Sequence, residues 1–343
     1  MLRMYYFSGT GNARNVASWM ASAFRERGRE VEVVDLARRP RAEVHLDPTD
    51  ELGLASPTHG FNFPPVTLAF LLALPRAPRR NRVYVFNTRA GMRLLGVHLP
   101  GLSGVAQLLA ALVLLAKGYR VAAMRPVDLP SNWISLHPAL REGAVRALHA
   151  RCEAQVRACA ARLLGGGRDL RALWDLPQDL LLAPVALGYY VAGRFVFAKS
   201  FFASRDCDGC EACVRECPVG AVVLAGGRPF WTFRCESCMR CMNRCPRRAI
   251  ETAHGFVASL VVLAGLATTA LLHPASGLSA PLGASGLARL TLDTIVLLAL
   301  LGVAYRALHA GLRVRAVERL LVWTSLTHLP WWGRYRARRV SRS

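Results

Sequence analysis

The chain has 343 residues, with 44 Lys+Arg against 22 Asp+Glu and a formal net charge of +22. That length exceeds one ordinary domain, and the 53% hydrophobic content excludes a largely disordered chain. No nucleic-acid motif accompanies the positive charge, so basic residues beside apolar segments point to an anionic membrane surface and not to nucleic acid.

Met1 opens directly on a strand-like run with no basic leader, so we expect the N-terminal part to stay in the cytosol. In that reducing compartment, clustered cysteines hold metal and not disulfides. Residues 1–164 carry 22 basic against 11 acidic side chains. Strand-like runs lie at Leu2–Phe7, Glu30–Val34, Glu51–Ser56, Arg82–Thr88 and Tyr119–Val127. Helix-like runs at Asn12–Gly28, Pro65–Leu74, Leu102–Gly118 and Pro138–Leu164 separate or follow them. This alternation predicts an α/β domain with a parallel sheet covered on both faces.

The first strand runs into Ser8-Gly9-Thr10-Gly11-Asn12 and then a helix. A strand-to-helix turn aims free backbone N–H groups and the positive helix end at an anion. Neither the full dinucleotide fingerprint nor a Gly-Lys-Ser/Thr loop is present. The loop resembles the FMN phosphate loop of flavodoxins, with Ala13 where that family commonly has Thr or Ser. The resemblance spans about residues 1–160 and implies a flavodoxin-like, doubly wound parallel sheet. It places the flavin at the carboxyl ends of the strands. It also brings in two further loops as flavin contacts: Ser56, Pro57, Thr58, His59, Gly60, Phe61 and Asn62, then Asn87, Thr88 and Gly91. His59 or Phe61 would stack on the ring, and Trp133 is a more distant candidate. Arg89, in the last of these loops, is expected either to be solvated or to meet acids such as Asp206, Asp208 or Glu211. Cys152 and Cys159 sit seven apart on one helix face and read as core residues.

Gly165-Gly166-Gly167 reads as the start of a linker over 165–204. Within it, Leu180–Phe202 is apolar but interrupted by Arg194 and Lys199. It fits either a helix lying on a membrane surface or one packing between domains.

Residues 205–254 hold two copies of one pattern. The first is Cys207-x2-Cys210-x2-Cys213-x3-Cys217-Pro218, and the second is Cys235-x2-Cys238-x2-Cys241-x3-Cys245-Pro246. Three thiolates at this spacing serve one 4Fe–4S cubane, and the fourth ligates the other. One cluster therefore takes Cys207, Cys210, Cys213 and Cys245. The second takes Cys235, Cys238, Cys241 and Cys217. Zinc also accepts four cysteines, but its sites pair Cys-x2-Cys knuckles and do not stack three such ligands before a Cys-Pro. This stretch resembles bacterial two-cluster ferredoxins, a small α+β domain.

From Gly255 to Ala288 there is no Asp, Glu, Lys or Arg. Phe256–Leu272 and Leu290–Tyr305 are apolar, joined by a Pro/Gly/Ser-rich turn from His273 to Gly286. They read as a C-terminal hydrophobic helical hairpin over 255–310 that spans the bilayer or dips into one leaflet. Arg247 and Arg248 precede the first apolar segment, and Arg306, Arg313 and Arg315 follow the second, so both ends are expected in the cytosol. Residues 311–343 form a basic tail, with eight basic side chains against one acidic.

A flavodoxin-like domain ahead of a two-cluster ferredoxin resembles the flavodoxin–ferredoxin fusion proteins known as EFR-type ferredoxins. The resemblance implies FMN and two 4Fe–4S clusters. The leading expectation is an electron-transfer protein attached to the cytoplasmic membrane and serving a redox partner protein. Two alternatives stay open: a flavin-dependent oxidoreductase with the clusters as an internal wire, and an iron–sulfur redox sensor.

Overall fold

The computed structural model describes residues 1–38, 44–94, 96–272 and 286–335. The chain divides into two compact units. One comprises Met1–Leu187 with Cys238–Arg240 and Arg334–Ser343; the other comprises Gly188–Ser237 and Cys241–Gly333.

The first unit is built on β1 (Leu2–Tyr6), α1 (Asn12–Arg25), β2 (Val31–Asp35), β3 (Glu51–Pro57), α2 (Pro65–Ala73), β4 (Arg82–Leu94), β5 (Val97–Leu99), α3 (Ala106–Ala116), β6 (Arg120–Pro130) and α4 (Glu142–Leu164). Five parallel strands run in the order β2-β1-β3-β4-β6. That order reverses direction between β1 and β3, as in flavodoxin-like doubly wound sheets. Both faces are covered, so the strands read as near-continuous apolar runs. Val16, Met20 and Phe24 recur along one face of α1 and pack on Leu2, Met4, Tyr84 and Phe86 of the sheet. Cys152 and Cys159 lie in the same core from the inner face of α4.

Two features differ from the sequence expectation. β4 runs on to Leu94 and turns into the short antiparallel β5, a hairpin beyond the parallel ladder. The triglycine at 165–167 does not release the chain. Gly165 and Gly167 close the end of α4 through N–H bonds to Ala161 and Arg162 carbonyls. The next residues return to the sheet, where Asp169 bridges Ala123 and pairs with Arg125 at 2.5 Å and Arg162 at 3.0 Å. Residues 165–187, expected as linker, therefore belong to the first unit. A buried ion pair and two strand-like backbone bonds hold them there.

After the 3-10 turn Arg171–Asp175 come α5 (Leu176–Leu181), α6 (Ala183–Gly188), a π-turn (Tyr189–Gly193) and α7 (Arg194–Ala198). The helices on either side of residue 182 are bent by 73°. The second unit continues with β7 (Phe201–Ala203), α8 (Ala212–Arg215), β8 (Val222–Ala225), β9 (Arg228–Trp231), α9 (Arg240–Arg244) and β10 (Ile250–Thr252). β7 pairs with β10 and β8 with β9, both antiparallel.

Two long helices follow, α10 (His254–Leu272) and α11 (Gly286–Gly311), then α12 (Arg315–Trp323). Leu260, Ala264 and Thr268 form the buried face of α10, at helical spacing. Val261, Val262, Leu263 and Leu266 are exposed, as are Leu290, Ile295 and Val303 on α11. Leu290–Gly311 is long and apolar enough to cross a membrane, by length and composition, and little of it is buried. The C-terminal part of α11 is different. Leu301, Tyr305 and Leu308 are buried, and the Tyr305 hydroxyl donates to the Phe201 carbonyl at 2.9 Å. The helix overruns the expected Tyr305 boundary, and this face packs on the rest of the second unit. The turn expected from His273 and the last residues of the basic tail, 336–343, lie outside the described residues.

Candidate functional site

The two cysteine loops, which belong to the second unit except for Cys238–Arg240, repeat their backbone as well as their sequence. Gly209 and Ser237, each two residues after the first Cys, have φ of +74° and +50°. Glu211 and Met239, each following the second Cys, have +57° and +60°. Gly220 and Arg248, each three after the fourth, have +59° and +52°. Left-handed backbone costs about 1 kcal/mol at a residue with a Cβ. Four such residues, Glu211, Ser237, Met239 and Arg248, fall at positions matched between the two loops. In each copy the third Cys rides a short helix, Cys213 on α8 and Cys241 on α9.

Backbone N–H groups turn towards the sulfurs. Ala221 donates to Cys217 Sγ at 3.2 Å and Ser237 to Cys235 Sγ at 3.4 Å. All ten cysteines are free thiols. The donor set of eight cysteines in two matched loops and the N–H···S bonds fit two 4Fe–4S clusters. Charged neighbours are paired: Asp208 with Arg247 at 2.9 Å and Glu216 with Arg244 at 2.8 Å. Lys199, missed as a site residue, is buried with its ammonium 4.3–4.6 Å from the Phe230, Phe233 and Tyr305 ring centres. Burial pushes it down to about 8, and Cys235 pulls it the other way. It is a cation held beside the second cysteine loop.

In the first unit, the three candidate loops share the carboxyl end of the sheet. Gly11, at φ +116°, starts α1 without any side-chain cap or first-turn acid. Gly11 N–H donates to Ser8 Oγ at 3.0 Å, and Asn132 reaches the Thr10 hydroxyl. Asn12 donates to the Pro130 carbonyl at 2.9 Å and accepts from the Tyr335 hydroxyl at 2.5 Å. Gly9 is closely covered, since a Cβ there would lie 2.6 Å from the Cys238 Cβ and carbonyl oxygen. Hydroxyls, a left-handed glycine and an uncapped helix start fit a phosphate.

The other loops divide between scaffolding and exposure. Ser56 is buried and its hydroxyl meets Thr67 at 2.7 Å, while Thr58 N–H donates to the Thr88 carbonyl at 2.9 Å. His59 and Asn62 exchange backbone bonds around Gly60 and Phe61, a tight turn with φ of +53° and +65°. Asn87 is fully buried; its amide donates to Thr58 and Ser103 and accepts from Gln107. Pro57 ends β3 opposite Thr88, and Gly91 faces Pro130 on β6. Trp133 lies in the loop after β6.

Arg89 corrects an expectation. It is not solvated. It is buried against Asp128 at 2.6 Å and Asp175 at 2.5 Å. Burial pushes the Cys152 and Cys159 thiols up to about 12, so both are inert core residues, as read from the sequence. Asn132 and Tyr335 were missed. The first sits in a strand-end loop where polar contacts gather. The second is 323 positions from its partner Asn12 and has no local signal.

Residues 206–250 match the family model described as a 4Fe-4S dicluster domain. No curated protein matches the chain. Among solved structures, the chain is similar to a flavodoxin from Megasphaera elsdenii, at 17% identity over 45% of this chain and 99% of that one, with a TM-score of 0.29. It is also similar to general stress protein 14 from Treponema denticola, solved in complex with FMN, at 14% identity over 47% and 97%, with a TM-score of 0.32. An azoreductase from Bacillus anthracis matches at 10% identity over 47% and 99%, with a TM-score of 0.31.

Proposed function

We propose that this chain, a flavodoxin-like domain joined to a 4Fe–4S dicluster domain at residues 206–250, carries electrons between FMN and two clusters and on to a redox partner protein at the cytoplasmic membrane. The observation that carries this reading is the duplicated cysteine loop with its left-handed turns at matched positions. Cys207, Cys210, Cys213 and Cys245 would hold one cluster, and Cys235, Cys238, Cys241 and Cys217 the second. Ser8, Thr10 and the first-turn N–H groups of α1 would hold the phosphate. Bound there, FMN would supply two electrons that can leave singly, and each cubane would carry one. Asn132 and Tyr335 brace the loop that would hold the phosphate, and the N–H···S bonds would stabilise thiolate charge.

Rapid mixing of purified protein with a two-electron donor tests the carrier. Cluster and flavin reduction should be linked at a rate independent of protein concentration, because the groups share one chain. A rate rising in proportion to concentration would show that the two centres serve separate partners.

Attachment to the membrane is supported by the exposed apolar faces of α10 and α11 and by the basic residues at both ends of the hairpin. The packing of Leu301–Leu312 on the second unit favours a second reading. In that reading only the remaining part of α11 is free for lipid, and the hairpin dips into one leaflet.

A further inference from the structure

Within the second unit, α12 has two apolar sides. Glu318 and Leu321 are buried, and Leu321 joins Leu308 and Leu312 at the end of α11. On the outside, Ala316, Leu320 and Trp323 follow one another at helical spacing, all exposed, with Trp323 82% accessible. Arg315 and Arg319, four apart and exposed, flank that stripe. The turns after α12 add exposed Leu326 and Trp331.

This segment sits at the base of the hairpin, where α10 begins and α11 ends. Leu326 N–H donates to His254 Nδ1 at 3.1 Å, the Trp332 and His254 rings are 6.5 Å apart, and Thr324 packs on Gly255. Arg306 and Arg313, both exposed, border the same level. A helix with an apolar stripe, exposed tryptophans and a flanking row of arginines suits the headgroup region of a bilayer. The only acid on α12, Glu318, faces away: it accepts Arg205 N–H at 2.6 Å and pairs with that guanidinium. The outward charge is therefore all positive, complementary to an anionic leaflet.

We propose that α12 and the turns to Trp332 form an interfacial docking surface for an anionic lipid leaflet, lying in the headgroup plane at the foot of the hairpin. This inference rests on the membrane attachment argued above. Arg205 lies two residues before Cys207, so the lipid-facing helix is fastened to the loop of the first cluster.

The test uses the full chain reconstituted in vesicles of phosphatidylcholine alone or mixed with phosphatidylglycerol, with detergent-solubilised protein for comparison. Differences between the wild type and Trp323→Phe or Trp331→Phe isolate each indole. In the mixed vesicles, acrylamide quenching of both indoles should be lost, and lipids brominated near the glycerol backbone should quench them. The double change Arg315→Glu and Arg319→Glu should restore acrylamide access while the protein still floats with the vesicles. Vesicle-bound wild type whose indoles stay open to acrylamide in both lipid mixtures overturns the surface and leaves hairpin anchorage standing. Protein that does not float with vesicles overturns both.

Discussion

Burial and the neighbouring Asp175 carboxylate push the Asp179 carboxyl up to about 6. The native state therefore binds this proton more tightly than the unfolded chain does. Stability falls as pH rises from the ordinary carboxyl range to about 6, and the penalty is complete above that. Asp179→Asn should stabilise the first unit by about 2 kcal/mol at pH 7, with the gain shrinking as pH falls to 5. Urea midpoints at the two pH values measure this, and an equal gain at both would remove the titration from the account. Single residues were also where the sequence misled. Arg89 reads from the sequence as part of a strand-end loop, which suggested solvent or a distant partner, but it lies within β4. Its carboxylates come from β6 and from a turn 86 positions away, and only the fold shows that they meet. Cys152 and Cys159 were legible because their spacing alone puts them on one helix face.

Among elements, the duplicated cysteine loops were legible as a 4Fe–4S dicluster domain, because ligand spacing is local and each loop carries its own turns. Anaerobic protein should contain about eight iron and eight acid-labile sulfide per chain. Cys241→Ser should lower both, and electron paramagnetic resonance should show the second cluster damaged more than the first. The Ser8–Asn12 loop was legible as a glycine-rich strand-to-helix turn, but the side chains that brace it, Asn132 and Tyr335, were not. Thr10→Glu would set a negative charge against the phosphate and should abolish FMN binding. Tyr335→Phe removes one buried hydrogen bond to Asn12 and should weaken binding about fivefold, on the order of 1 kcal/mol. Fluorescence titration of flavin-free protein reads both changes. The triglycine was misread for a related reason. A run of glycines signals a break in helix, not where the chain goes next, and here a buried aspartate brings it back to the sheet.

For the whole molecule, the apolar hairpin and the described part of the basic tail act together. The tail is not a free arm, since α12 and the turns after it are folded against the hairpin base. Charge counting found its basic character, while its amphipathic helix went unread because Glu318 and Leu321 face inward at a spacing shared with exposed residues. Membranes from expressing cells should retain the protein through carbonate and high-salt washes and release it to detergent. Release by either wash alone would mean that no segment enters the hydrocarbon. Retention by both the hairpin and α12 also predicts that charge reversal on α12 alone leaves the chain in the pellet.

Seven of the eight dicluster cysteines are partly shielded, and Cys210 is exposed. An oxidant arriving from solvent would meet Cys210 before the other seven. In the proposed assignment, damage in air should then be ordered, not random: the cluster on Cys207, Cys210, Cys213 and Cys245 should shed iron first, and the other should outlast it. A time course of visible absorbance and iron release under air would show two phases. Replacing Asp208, whose carboxylate accepts the Cys210 N–H at 3.2 Å, should shorten the first phase and spare the second. The lifetime of the protein in oxygen would then be set at a single thiol on its surface.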